Sequence, residues 1–410
     1  MRKPADFFVE LGEDRANPVS FKAVQLKQEI ITRLTRDGRA TIAELSQYTH
    51  TSIPKVNEII TELIQRELVV DHGKIVNGVG RKPNIFGLNP QWGYFLSVET
   101  TRAHINLAIV SFDEQIVHAT KDIPFVLENS PKAFEELCNL ISAYMVSHDF
   151  LQDRLLGLSV TITGRVNHLT GNSHSFFNFD NISLKEALVK RFALPAHIEN
   201  DTRAMAYGEY AKGVAQQEKN VLFFNLDEGI GMGIIINGHL YSGKSGFAGE
   251  FGHIPLLDND IICHCGKKGC LETEASGFAI VQQVRQELRQ GTSSIITQIV
   301  DDIDDIRLAH VVEAALRDDM LCIERISTAG EKIGHGIAML LNIFNPDLVV
   351  LGGKIALCKS AIMLPILSSV HKYTLNLVNT DTKFETSQLK ENAGLLGGAL
   401  LLRNELLQLA

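Results

Sequence analysis

The segment that most narrows what this chain can become is Cys263-His264-Cys265-Gly266-Lys267-Lys268-Gly269-Cys270, with His253 just before it. Three thiols packed this closely beside an imidazole have the donor types of a metal site rather than of a disulfide framework. One imidazole and three thiolates make a closed tetrahedral set for zinc, with no position left for an activated water. Zinc held by His253, Cys263, Cys265 and Cys270 is therefore read as structural. Gly266 and Gly269 would supply the sharp turns that wrap the backbone around an ion. The competing reading is three buried or redox-labile thiols, and the Gly-x-x-Gly spacing argues against it. His264 reads as a bystander. Cys138, Cys322 and Cys358 lie in apolar stretches and read as core residues.

The chain has 410 residues, and at ~150 residues per domain that implies about three domains. With 45% hydrophobic and 21% charged residues, intrinsic disorder, collagen-like repeats and small disulfide scaffolds are excluded. No run of about 18 uncharged apolar residues marks a membrane span. Met1–Glu10 lacks an apolar signal core, so the expected location is cytoplasmic. The net charge of −9 argues against indiscriminate coating of nucleic acid. It is unevenly spread: residues 1–90 carry 13 Lys and Arg against 11 Asp and Glu, whereas the remainder is acidic.

Within that near-neutral front, residues 26–38 have helical apolar spacing and stop at Gly38. Thr41, with Glu44 three residues on, opens a short second helix with a capping box. A third helix opens at Ser52, with Pro54 in its first turn and Val56, Ile59, Ile60, Leu63 and Ile64 as its apolar stripe. Strand-like runs follow at 68–70 and 85–88, flanking Gly78-Val79-Gly80-Arg81-Lys82-Pro83. This is the pattern of a winged helix-turn-helix. Ser52, Lys55 and Asn57 would meet operator DNA from the third helix, and Arg81 and Lys82 from the wing. A winged helix that binds protein is the alternative. Met1–Ser20 has no clear pattern and reads as an arm or an extra helix.

Beyond residue 90, strands alternate with helices, as in an α/β fold. Strands are expected at 94–113 (a hairpin turning at 99–103), 155–161, 197–200, 221–226, 233–236 and 348–351. Helices are expected at 130–148, 184–192, 201–210 and 320–344. Glu199-Asn200-Asp201 stands at a strand end before a helix, where an N-cap is the plain explanation for Asp201. Gly249-Glu250-Phe251-Gly252-His253 and Glu272 flank the cysteines. Carboxylates held rigidly in this way suit a polyol, because each accepts from two adjacent hydroxyls.

Gly-Glu-Phe-Gly-His followed by Cys-x-Cys-Gly-x-x-Gly-Cys-Leu-Glu resembles the signature of the ROK family of repressors, open reading frames and sugar kinases. Asn200-Asp201, Asn345-Pro346-Asp347 and Leu351-Gly352-Gly353 extend the resemblance over residues 93–405. With the winged helix in front, the whole chain is similar to the family's sugar-responsive repressors, such as the glucose- and N-acetylglucosamine-responsive ones of enteric bacteria. The resemblance implies an actin-like ATPase fold of two α/β lobes with sugar in the cleft between them. It implies domains at 1–90 (winged helix), 91–200 (first lobe) and 201–410 (second lobe with the zinc loop, its closing helices returning to the first). By position, Asn200, Asp201, Glu250, His253 and Glu272 would hold sugar hydroxyls, with His253 also on zinc.

The resemblance departs from the family's kinases at both phosphate loops. Where they carry Asp-x-Gly-Gly-Thr, this chain has Glu99-Thr100-Thr101-Arg102-Ala103, so side chains obstruct the backbone approach to phosphate. Where they carry Gly-Thr-Gly-x-Gly, it has Asp227-Glu228-Gly229-Ile230-Gly231, which places two carboxylates where a polyanion should sit. The expectation is a repressor that binds a sugar or sugar phosphate without ATP and without phosphorylating it. It would act on its operator as a homodimer or tetramer. An active sugar kinase with a DNA module, a zinc-stabilised repressor controlled by a partner protein, and an activator are the alternatives.

Overall fold

A computed structural model describes residues 6–9, 11, 18–74, 83–148, 153–179, 181–215 and 217–409. The chain forms two units, residues 1–199 with 398–410, and residues 200–397.

The first unit begins with helix α1 (Pro18–Asp37), strand β1 (Arg39–Thr41), α2 (Ile42–Tyr48), α3 (Ile53–Gln65), β2 (Val69–Lys74) and β3 (Asn84–Leu88). Gly38 takes a positive φ of 77° and ends α1. The Thr41–Glu44 capping box opens α2. Val56, Ile59, Ile60 and Leu63 of α3 are buried. The strands form a small sheet ordered β1-β3-β2, so the helices and sheet of a winged helix-turn-helix are present. Ile64, expected in the buried stripe, lies at the edge of the surface. Helix α1 begins eight residues earlier than its apolar spacing indicated. Within the patternless start, residues 6–9 are helical. Phe7 and Phe8 pack edge-on against Trp92, with ring centroids 5.6 and 5.8 Å away.

The same unit continues with β4 (Tyr94–Thr100), β5 (His104–Ser111), β6 (Ile116–Pro124), α4 (Pro131–Ser147), β7 (Leu155–Ile162), α5 (Leu184–Phe192) and β8 (Ala196–Asn200). Their sheet runs β8-β7-β4-β5-β6, with β4–β5 and β5–β6 antiparallel and β4–β7 parallel. Strand β6 was not expected. It is an edge strand whose side chains are mostly exposed, so no apolar alternation marks it.

The second unit holds α6 (Asp201–Lys212), β9 (Val221–Leu226), β10 (Ile230–Ile236), β11 (His239–Leu240), α7 (Gly277–Arg289), α8 (Leu308–Leu316), α9 (Met320–Phe344), β12 (Leu348–Gly352), α10 (Ser360–Tyr373) and β13 (Lys383–Thr386). Its sheet is ordered β11-β10-β9-β12-β13. Each five-stranded sheet is thus an antiparallel meander of three strands, extended beside its first strand by a parallel one and then by a fifth strand at the edge. This repeated arrangement is that of the two-lobed actin-like ATPase fold.

Helix α11 (Ala393–Leu407) closes the chain, and its residues from 398 onward belong to the first unit. There, Arg403 pairs with Glu114, both fully buried. The Gln28 amide donates to the Leu407 carbonyl at 2.7 Å, which ties α1 to the end of α11.

Candidate functional site

The Gly-Glu-Phe-Gly-His segment lies directly on β10. Gly249, with φ 91°, has no room for a Cβ against the Met232 carbonyl, and at Gly252 a Cβ would meet the Ile230 carbonyl. These glycines let the backbone come close enough to present Glu250 and His253. The cysteine segment then folds as a tight hairpin, in which Ile262 bridges Lys268 and Pro255 bridges Cys270. Gly266 and Gly269 both take positive φ, 85° and 72°, at its turns, as expected.

The hairpin brings the donor atoms of His253, Cys263, Cys265 and Cys270 within 4.8 Å of one another. The His253 Nδ1 is 3.5 Å from Cys263 Sγ, and Cys265 Sγ is 3.6 Å from Cys270 Sγ. Zinc–ligand bonds of standard length set tetrahedral edges of about 3.6 Å for N···S and about 3.8 Å for S···S. A disulfide would hold its sulfurs at about 2.05 Å. The spacing therefore fits a metal. So does the donor chemistry: without a cation, burial pushes the Cys270 thiol up to about 12. Burial raises Cys263 likewise. Cys265, exposed at the outer edge, is lowered: burial opposes the shift, and hydrogen bonds from the Lys267 backbone and the neighbouring thiols outweigh it.

Glu272 joins this cluster. Its Oε1 accepts from the Ile230 N–H at 3.2 Å. Its buried Oε2 accepts no hydrogen bond among the described residues and lies 3.5 Å from His253 Nδ1. His264, read as a bystander, has its Nδ1 3.6 Å from the same oxygen and 3.8 Å from Cys263 Sγ. The other ring nitrogen of His253, Nε2, faces Glu250 at 3.9 Å. Cys138, Cys322 and Cys358 are buried elsewhere. Burial holds the Cys138 and Cys358 thiols up at about 11.

Asn200 and Asp201 come together at the start of α6. Asn200 caps the helix, its Oδ1 accepting from the Arg203 N–H at 3.0 Å, while its amide donates to Asp201 Oδ1 at 2.9 Å. The Thr202 N–H donates to the same oxygen at 2.7 Å. The N-cap is therefore Asn200 rather than Asp201, which is the first residue of the helix, and the cap fixes the Asp201 carboxylate in place. Both groups border β10: a Cβ on Gly231 would strike the Thr202 side chain, and one on Gly229 would meet Glu272 Oε1.

The two loops that depart from the kinase pattern satisfy their own amides. The Thr101 hydroxyl accepts from the His104 N–H at 3.1 Å and the Ala103 N–H at 3.4 Å. Asp227 accepts from its neighbour Glu228 N–H at 2.9 Å and from the Lys354 N–H at 3.2 Å, with Lys354 Nζ 3.5 Å away. The Gly277 and Phe278 N–H groups at the start of α7 donate to the Asp227 and Glu228 carbonyls. Sequence reasoning missed the ties of Asp227 and Glu228 to Lys354, Gly277 and Phe278 because these join residues far apart in the chain.

On the winged module, Ser52 and Asn57 are exposed. Ser52 precedes α3 without capping it through its side chain. Lys55 is paired with Glu58 at 2.7 Å. Arg81 and Lys82 lie outside the described residues.

Residues 95–405 match the ROK family, and the chain belongs to that family. The Bacillus subtilis xylose repressor is 26% identical over 94% of this chain and 96% of its own length. The Escherichia coli transcriptional dual regulator NagC is 28% identical over 89% of this chain and 88% of its own. A solved ROK family transcriptional regulator, a homolog of the Escherichia coli MLC protein, superposes with a TM-score of 0.79, at 26% identity over 93% of this chain and 96% of its own. A ROK glucokinase from Streptomyces griseus, solved with glucose and AMPPNP, gives 0.67, at 26% identity over 76% of this chain and all of its own. The repressors align over nearly the whole chain, whereas the kinase covers 76% of it. Within the family, the chain is a transcriptional repressor.

Proposed function

We propose how this sugar-responsive repressor works: a neutral sugar binds in the second unit at Asn200, Asp201, Glu250, His253 and Glu272 and weakens operator binding by the winged helix. The observation that carries this reading is the joining of Glu250 and Glu272 to the His-Cys cluster through His253. The metal would be zinc, held by His253, Cys263, Cys265 and Cys270 and supplying rigidity rather than a reactive water. With Nδ1 toward the metal, His253 would present Nε2 to a sugar hydroxyl beside Glu250. Clustered carboxylates favour an uncharged sugar over a sugar phosphate. The relatives' names make xylose, N-acetylglucosamine and glucose the first compounds to try.

The chain does not phosphorylate its sugar in this reading. The Ala103, His104 and Glu228 amides of the two loops are already taken by the Thr101 hydroxyl and the Asp227 carboxylate, and Asp227 and Glu228 would repel a polyphosphate. The repressor acts in the cytoplasm as a homodimer or tetramer on a pseudo-palindromic operator. Ser52 and Asn57 would contact DNA from α3, Lys55 would reach phosphate only by leaving Glu58, and Arg81 and Lys82 would contact it from the wing.

The test is a gel-shift titration on the DNA upstream of the chain's own gene, with the three sugars and their phosphates. Release by one sugar, with no ATP turnover in a coupled assay, is the expected result. Binding that no sugar alters would point to control by a partner protein, and sugar-dependent ATP turnover would establish a kinase.

A further inference from the structure

The outward stripe of α3 is unusual in what it offers to a base pair. Ile53, Pro54, Asn57, Glu58 and Thr61 are exposed along it. The Ile53 side chain is 56% exposed at the first helical position, although an isoleucine gains by burial. The helix Ile53–Gln65 contains a single cation, Lys55, and Glu58 neutralises it at 2.7 Å. Among the described residues, no partner holds the Asn57 side-chain amide; the Thr61 hydroxyl donates instead to the Asn57 backbone carbonyl.

The N-terminal turns of such a helix are the part that meets base edges in a major groove. Guanine is read there by Arg or Lys, adenine by the paired donor and acceptor of Asn or Gln, and thymine by apolar contact with its C5 methyl. This helix has no unpaired cation for guanine. It has one amide for adenine and an exposed Ile-Pro corner for methyl groups. We propose that Asn57 reads an adenine and that Ile53, with Pro54 beside it, reads thymine methyls, so that the base pairs facing α3 in each half-site are A·T. This rests on the operator-binding reading above, and it assigns the specificity within it.

The experiment begins with selection from a random duplex library by the full-length protein. Enrichment of A·T pairs at the half-site positions protected by α3 is expected, and enrichment of G·C pairs there would overturn the proposal while leaving operator binding intact. Failure to enrich any duplex would overturn the operator reading and this proposal with it. The selected site is then resynthesised with deoxyuridine for each thymine facing α3, which removes only the methyl. Burying one such group contributes ~0.8 kcal/mol, so the wild type should bind about 4-fold more weakly per methyl lost. Ile53→Ala should bind the thymine site more weakly and be indifferent to deoxyuridine. Because Ile53 is exposed, folding is not at stake. Wild-type binding unchanged by deoxyuridine at every such position, or I53A with the same thymine dependence as wild type, would refute the assignment. Asn57→Ala should lose roughly 10-fold at the adenine position and discriminate less there against the other pairs.

Discussion

Asp201 offers the sharpest test of the proposed effector site, because its geometry is fixed before any sugar arrives. The Asn200 amide and the Thr202 N–H hold its Oδ1 at 2.9 and 2.7 Å, so a ligand need not pay for orienting it. A hydrogen bond from a sugar hydroxyl to an ionised carboxylate contributes about 1.5–3 kcal/mol, which corresponds to roughly a 10- to 150-fold change in sugar Kd. Asp201→Asn keeps the shape and removes the charge, and Asp201→Ala removes both. Calorimetry with the sugar that releases the wild type should show both variants weakened by at least about 10-fold, with alanine the worse. By linkage, the sugar concentration that half-releases operator DNA, followed by fluorescence anisotropy, should rise by the same factor. Operator affinity without sugar should stay within about twofold, because α3 lies in the other unit. A release midpoint unmoved in Asp201→Ala would refute the placement of the pocket. Loss of sugar-free DNA binding would show that Asp201 acts on the fold instead.

Further outcomes follow from the metal cluster and from a charged pair in the first unit. The purified protein should carry one zinc per chain by mass spectrometry, and Cys270→Ser should carry none. If free zinc stands 1,000-fold above its Kd, the metal stabilises the folded state by about 4 kcal/mol. A strong chelator should then lower the melting temperature by ~10 °C; a full complement of reduced thiols with no metal would contradict the site. In the first unit, burial would raise the Glu405 carboxyl, but His197 and Lys185, each 2.6 Å away, bring it down to about 2 from an ordinary 4.5. Its stabilising effect is therefore present above about pH 4.5 and is lost as the pH falls toward 2. The carboxylate is 43% exposed, so solvent screening reduces the effect to about 1–2 kcal/mol. Urea midpoints should show Glu405→Gln less stable than wild type by that amount at pH 7 and equal to it near pH 2. An undiminished difference at pH 2 would mean that packing, not charge, was lost.

The parts of the fold that the sequence disclosed carry their own punctuation. Helix α5 has the bounds expected of it, and the structure shows why it begins and ends there: Ser183 and Glu186 form a capping box at its start, and the chain turns left-handed at Ala193. Helix α3 was legible from four apolar residues on one face. Strand β6 was not, since its neighbours cover little of it, and the aromatic contact of Phe7 and Phe8 with Trp92 joins positions more than 80 apart. The metal cluster was legible because its ligands, His253 aside, fall within one short hairpin. The ties of Asp227 to Lys354 and of Thr202 to Gly231 were hidden in long-range packing, and so was the closeness of His264 to Glu272.

Of the four candidate metal donors, Cys263 and Cys270 are buried, His253 is half-buried and Cys265 alone is exposed, its thiol lowered where those of Cys263 and Cys270 are raised. Accessibility and thiolate character together set how fast a sulfur reacts. With zinc bound as proposed, the lifetime of the ion would be governed through one atom: exchange, electrophilic attack and loading would begin at Cys265, and the inner donors would change partners only after it had let go.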